Sequence, residues 1–153
     1  MAKRILVPLG KREAGQAVLP VVAPAARDSG ATVRLLRVYP IPDLIVGPHG
    51  RIIAYADQQM DSLSREGETE LKAIADTTLD GVAVETVVRF GDPVAEILTE
   101  AETFGADLVA LTTTERSRLG RALIGGTADD ITRKAAVPTL ILRAGSTLRK
   151  ISP

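Results

Sequence analysis

The residues best suited to chemistry lie close together late in the chain. Residues 106–143 read ADLVALTTTERSRLGRALIGGTADDITRKAAVPTLILR. A loop of hydroxyls and arginines, 112–121, leads there to Gly125, Gly126 and Thr127. Glycines let backbone amides close on an anion, and the start of a helix adds the positive end of its dipole. The chemistry on offer is anion or phosphate binding. Thr127 is expected to cap a helix that runs to about residue 136, with Asp129 and Asp130 in its first turn. Adjacent acids at a helix start are read as dipole partners, not as metal ligands. Arg116, Arg118 and Arg121 could pair with phosphate, though exposed charges of this kind are usually a solvated loop edge.

Other chemistries find few residues. There is no cysteine, which removes disulfides, thiolate catalysis and zinc-thiolate sites. The single histidine, His49, stands between Pro48 and Gly50 and reads as a solvated turn residue. With no histidine base, no cysteine nucleophile and no spaced carboxylate pair, the chain is not expected to be an enzyme or to hold a metal. Charge is balanced, 19 Lys and Arg against 19 Asp and Glu, so no global field recruits nucleic acid or a membrane surface. Aromatic residues make up 3%, too few for a stacking platform. No apolar run is long enough to span a bilayer, and MAKRILVPLG has no signal-peptide core. A cytoplasmic protein is expected.

The elements that position the glycine loop follow from patterning. At 153 residues the chain is expected to be one domain, residues 1–144, followed by a loosely ordered tail, 145–153. Residues 4–8 (RILVP) form a first strand and 31–38 (ATVRLLRV) a second. Between them 16–29 reads as a helix that Pro20 and Pro24 should kink or delay, with Gly30 as its left-handed cap. Residues 39–55 hold prolines and glycines among apolar residues, which suggests an insertion packed on the core, or a lid. The longest helix is expected over 56–78, weakened at Gly67. A third strand, 82–88, precedes a helix capped by Asp92, with Pro93 at its first position and Gly105 at its end. Residues 107–111 and 139–142 are the last two strands, separated by the helix after Gly126. The result is a single three-layer α/β/α domain.

These residues resemble the universal stress protein family from Lys3 to Arg143. The resemblance rests on Ile5-Leu-Val-Pro8, on the second strand, on Phe90-Gly-Asp-Pro93 followed by Ile97, and on the last two strands, with Ala106-Asp107-Leu-Val109 and Val137-Pro138-Thr139. It implies a five-stranded parallel sheet of order 3-2-1-4-5, an adenine-nucleotide-binding-like fold. In such a sheet the first and fourth strands are neighbours, and ligands sit at the switch point beyond their carboxyl ends. Pro8, Val38 and Gly125 are therefore expected to line one crevice.

The same resemblance sharpens the question of function. ATP-binding members carry Gly, two residues, Gly, nine residues, then Gly and Ser or Thr. Here the first two glycine positions are Thr112 and Glu115, while Gly125 and Gly126 are kept and Thr127 supplies the hydroxyl one residue late. The acidic residue that would hold ribose is replaced by Gly10, followed by Lys11 and Arg12. The implied candidate site is Pro8, Gly10, Val38, Thr112, Gly125, Gly126 and Thr127. The favoured reading is a non-catalytic dimeric stress-response module with weak or absent ATP binding and no required cofactor. The alternative is a member that binds ATP or AMP through a drifted phosphate loop. Dimerisation is expected through the edge strand Thr139, Leu140, Ile141 and Leu142, which has no internal proline or lysine to discourage pairing.

Overall fold

The computed structural model describes residues 3–42, 52–114 and 122–144. β1 (Arg4–Pro8) leads through a 3-10 helix (Glu13–Val18) into α1 (Leu19–Ser29). There follow β2 (Thr32–Tyr39), α2 (Ile52–Thr78), β3 (Ala83–Phe90) and α3 (Pro93–Phe104). β4 (Leu108–Thr114), α4 (Ala122–Lys134) and β5 (Thr139–Ala144) complete the described elements. The strands pair in parallel in the order β3-β2-β1-β4-β5, the order that the family resemblance implies.

Both faces of the sheet are covered, so its central strands are apolar at successive positions. Ile5, Val7, Val33 and Leu35 face α1 and α2, where they meet Leu19, Val22, Ala26 and Leu71. Leu6 and Leu36 face α3 and α4, where they meet Ile97, Phe104, Ala128 and Ile131.

Local signals explain most boundaries. The expected delay at Pro20 and Pro24 is a 3-10 turn ahead of α1. Pro24 lacks the amide that would bond the Pro20 carbonyl, and both residues lie on the exposed side of the helix. Gly30 and Gly105 end α1 and α3 with φ of 69° and 71°. The Asp92 carboxylate accepts the Ala95 amide at 3.0 Å, and Pro93 opens α3.

Several expectations are corrected. α2 begins at Ile52 instead of residue 56, so the irregular stretch is shorter than expected; its remainder, 43–51 with His49, lies outside the described residues. β4 runs on to Thr114, past residue 111. Glu115, Arg116, Arg118, Arg121 and the tail 145–153 also lie outside the described residues. Gly67 is a point of close approach as well as a weak spot in α2. A Cβ there would stand 2.9 Å from Val88 Cγ2 and 3.1 Å from the Tyr39 hydroxyl. Only glycine lets α2 cross β2 and β3 this closely.

Three strand arginines turn inward. On the α3 side, Arg34 pairs with Glu85 at 2.6 Å and with Glu100 at 2.5 Å, while Arg89 pairs with Glu96 at 2.6 Å and with Glu100 at 3.0 Å. Glu100 is buried and shared by both guanidinium groups. Burial pulls the Arg34 pKa down, but bonds to Glu85 and Glu100 outweigh it and leave the value raised. Arg37, on the opposite face, is buried beside the first loop.

Candidate functional site

The site is built where the first loop leaves the sheet. β1 ends at Pro8, opposite Leu36 of β2, and Val38 lies further along the same edge of β2. Leu9 continues the pairing, its amide donating to the Leu36 carbonyl at 2.8 Å. Arg37 then ties the loop down from beneath. Its Nε donates to the Leu9 carbonyl at 3.2 Å, its Nη2 to the Gly10 carbonyl at 3.0 Å, and its Nη1 to Glu70 of α2. A guanidinium has a rigid fork of donors, and here each nitrogen finds an acceptor.

Gly10 is thus held by its carbonyl while its Cα faces open space. Among the described residues, a Cβ added there would meet no atom within 4 Å. Packing of the described residues therefore leaves room for a Cβ at this position. Gly10 and Val38 come together in one cavity of about 370 Å³, walled also by Lys11, Arg37, Tyr39, Pro40 and Leu63. This cavity opens between the first loop, the end of β2 and α2. Pro8 stands next to it in sequence without lining it.

The β4 side of the switch point is arranged differently. Thr112 Oγ1 accepts the amide of Val18 at 3.1 Å. Val18 precedes α1, so a β4 side chain satisfies one of the amides that a helix start leaves unpaired. The 3-10 helix packs over β4 and β5 and carries this contact. In the family's ATP motif a glycine without a side chain would stand at position 112. Here the hydroxyl spans from β4 to the start of α1.

The glycine pair itself is a correction. Gly125, Gly126 and Thr127 do not open a helix; they lie within α4, which starts at Ala122. Thr127 is therefore not its N-cap, and no acidic residue falls in the first turn. Asp130 instead pairs with Arg133, one turn on. Two glycines inside a helix each cost about 1 kcal/mol relative to alanine. Burial of Ala128 and Ile131 against the sheet opposes that cost.

Gly10 and Val38 therefore share a cavity, Pro8 and Thr112 stand at neighbouring strand ends, and Gly125, Gly126 and Thr127 belong to a helix. Sequence reading missed Arg37, Tyr39, Gln59 and Leu63. Strand parity was the available signal for Arg37, because it falls two places after the buried Leu35 and so shares its face. Among the described residues no three His, Cys, Asp or Glu gather as metal ligands, and no helix is long and apolar enough to cross a membrane.

Comparison with known proteins adds to this geometry. A sequence profile of the universal stress protein family matches residues 1–143. Universal stress protein MJ0531 of Methanocaldococcus jannaschii is 31% identical over 109 residues, a match that covers 69% of this chain and 64% of that protein. Among solved structures, hypothetical protein MJ0577 aligns over 95% of this chain and 98% of its own, with a TM-score of 0.76 and 21% identity. A universal stress protein in complex with cAMP aligns over 93% of this chain and 97% of its own, with a TM-score of 0.60 and 16% identity. The universal stress protein of Archaeoglobus fulgidus in complex with dAMP aligns over 91% and 96%, with a TM-score of 0.58 and 18% identity. The chain belongs to the universal stress protein family.

Proposed function

We propose that this protein is a cytoplasmic, non-catalytic, dimeric stress-response module in which ATP binding is weak or absent. The observation that carries the reading is the Thr112 side chain, held at the start of α1 by a 3.1 Å hydrogen bond from the Val18 amide. It places a side chain and a hydrogen bond where the family's ATP motif keeps a bare glycine beside the phosphates. Gly10 supports it, since this residue brings no carboxylate to hold ribose hydroxyls and its carbonyl is already bonded to Arg37. The sequence has no cysteine nucleophile, and its one histidine, His49, reads from its Pro48 and Gly50 neighbours as a turn residue, which supports a non-catalytic role.

A second reading has its own support. Two of the solved relatives are complexes with cAMP and with dAMP. A nucleoside monophosphate presents fewer phosphates than ATP, so a member with a drifted loop could still hold AMP, and ATP less readily, through Gly125, Gly126, Thr127 and the arginines Arg116, Arg118 and Arg121.

Nucleotide content and affinity separate the two. The purified protein, denatured and read by absorbance and mass spectrometry, is expected to release no stoichiometric ATP or AMP. Calorimetry is expected to show no micromolar binding of either. Micromolar or tighter affinity would establish the second reading. In that case Gly10→Asp, whose Cβ would meet no described atom within 4 Å, should tighten binding further.

A further inference from the structure

We propose that the free edge of β3 is a self-association surface, where a second copy of this chain adds its own β3 as an antiparallel strand. β3 ends the sheet on the side away from β5, and β2 alone pairs with it among the described strands. Every residue of β3 is at least partly exposed, unlike the buried middle of β1. No proline, glycine or lysine interrupts AVETVVRF, although such residues commonly guard a sheet edge.

Backbone parity fixes which groups are available. The Gly91 amide donates to the Tyr39 carbonyl at 2.9 Å, so Gly91 turns its backbone toward β2. Backbone groups alternate sides along a strand, which directs those of Glu85, Val87 and Arg89 toward β2 as well. Those of Val84, Thr86, Val88 and Phe90 are directed outward. A two-fold axis sets outward groups against outward groups only where it passes through a residue, not between two.

Charge selects that residue. With the axis at Val87, Glu85 stands opposite Arg89 of the second copy, and Arg89 opposite its Glu85. An axis at Thr86 would set Glu85 against Val87, and one at Val88 would set Arg89 against Val87. The Val87 register alone pairs the opposite charges, twice by symmetry. Both residues keep an atom for the purpose. Among the described residues, Glu85 accepts Arg34 through Oε1 only, and Arg89 donates through Nε and Nη1 only. Glu85 Oε2 and Arg89 Nη2 are left over, on side chains 49% and 30% exposed. In this register they fall on a pair without backbone bonds, where opposed Cα atoms are about 4.5 Å apart and side chains come closest.

The face toward α2 is complementary too. Val84 and Thr86 wall a groove of about 410 Å³ against Lys72, Ala75 and Leu79 of α2 and its end. The same register sets Phe90 of the second copy opposite Val84, along this groove. Charge pairs fix register more than they add affinity, so the contact is expected to be weak and to form at hundreds of micromolar protein.

The chain has no cysteine, so one introduced thiol reports contact between copies. Val87→Cys puts both thiols at the axis, within disulfide reach. Ala83→Cys is more exposed but lies far from its mate in this register. Oxidised at hundreds of micromolar, full-length Val87→Cys should crosslink about tenfold faster than Ala83→Cys. Adding Glu85→Lys, which opposes like charges, should slow the Val87→Cys reaction about fivefold. Adding Thr86→Pro, which removes an outward amide and leaves β2 its donors, should lower it to the Ala83→Cys rate, with the circular dichroism of the fold retained. Ile141→Pro, on the other edge, should leave it unchanged. The proposal is overturned if Ala83→Cys crosslinks as fast as Val87→Cys, or if either Glu85→Lys or Thr86→Pro has no effect. A fall to the Ala83→Cys rate in Ile141→Pro would also overturn it, by assigning the crosslink to β5.

Discussion

Thr112 of β4 and Val18 at the start of α1 are joined by a side-chain hydrogen bond of 3.1 Å, across 94 positions of sequence. The contact fastens the first helix to the fourth strand at the point where the strand order reverses. Val18 is buried, so its amide would have no water to replace the lost acceptor. Thr112→Val keeps the shape and removes the oxygen. It is expected to lower stability by about 1 kcal/mol in urea unfolding. It should leave ATP affinity as weak as in the parent, because the valine still fills the same place. A gain of ATP binding in this variant would show that the hydroxyl, not the side chain's bulk, keeps nucleotide out.

At Gly67 two effects oppose each other, and their sizes decide the outcome. Alanine in a helix interior is favoured over glycine by about 1 kcal/mol. The added methyl would, however, stand 2.9 Å from Val88 Cγ2 and 3.2 Å from Tyr39 Cε2, both in a packed interface. Overpacking costs about 1–3 kcal/mol. Gly67→Ala is therefore expected to destabilise on balance. Combining it with Val88→Ala should recover part of the loss, a coupling that a double-mutant cycle measures directly.

Asp107 gives a pH dependence with a defined sign. Its Oδ2 accepts the amides of Lys3 at 2.9 Å and Arg4 at 3.0 Å, and these two bonds hold its pKa below the ordinary carboxylate value. A carboxyl group whose pKa is lower in the folded state stabilises the fold above its unfolded pKa. That contribution is lost as pH falls through the folded value. Asp107→Asn should be less stable than the parent at neutral pH. The gap should begin to close near the ordinary carboxylate value of about 4, where the unfolded chain takes up its proton, and go on closing as pH falls through the lower folded value. Thermal unfolding of both proteins across that range checks the sign.

Features set by neighbouring residues are legible in the sequence. Asp92-Pro93 announces a helix start because a cap and a fixed φ act within a few residues. Gly30 and Gly105 mark helix ends for an equally local reason. The paired glycines mislead, because Gly125 and Gly126 read as a loop while packing of Ala128 and Ile131 helps hold the helix around them. Arg34, Arg37 and Arg89 are illegible in a different way. Their partners Glu100, Glu70 and Glu96 lie on helices, and periodicity does not say which helix covers which strand. The candidate site follows the same division. Gly10 and Val38 could be placed together from strand order, whereas the Arg37 clamp and the Thr112 bond depend on contacts made only after the sheet is assembled.

The proposed dimer would form through the edge strand β5, and backbone parity gives a clean way to test it. β5 lies at the end of the sheet, and Leu140 and Ile141 are 37% and 38% exposed. The Pro138 carbonyl accepts the Val109 amide at 3.0 Å, so Pro138 points its backbone toward β4. Backbone groups alternate sides along a strand, which directs those of Leu140 and Leu142 toward β4 as well. Those of Thr139, Ile141 and Arg143 are directed outward. A second copy related by a two-fold axis could pair with this outward row as an antiparallel strand and cover the exposed side chains. Ile141→Pro removes an outward amide and leaves the β4–β5 ladder its donors. Sedimentation equilibrium at tens of micromolar protein should show a dimer for the parent and a monomer for Ile141→Pro, with the circular dichroism of the fold retained. Leu140→Pro, which removes a donor to β4, should instead destabilise the domain. A monomeric parent, or an Ile141→Pro variant that stays dimeric, would rule out pairing through this edge.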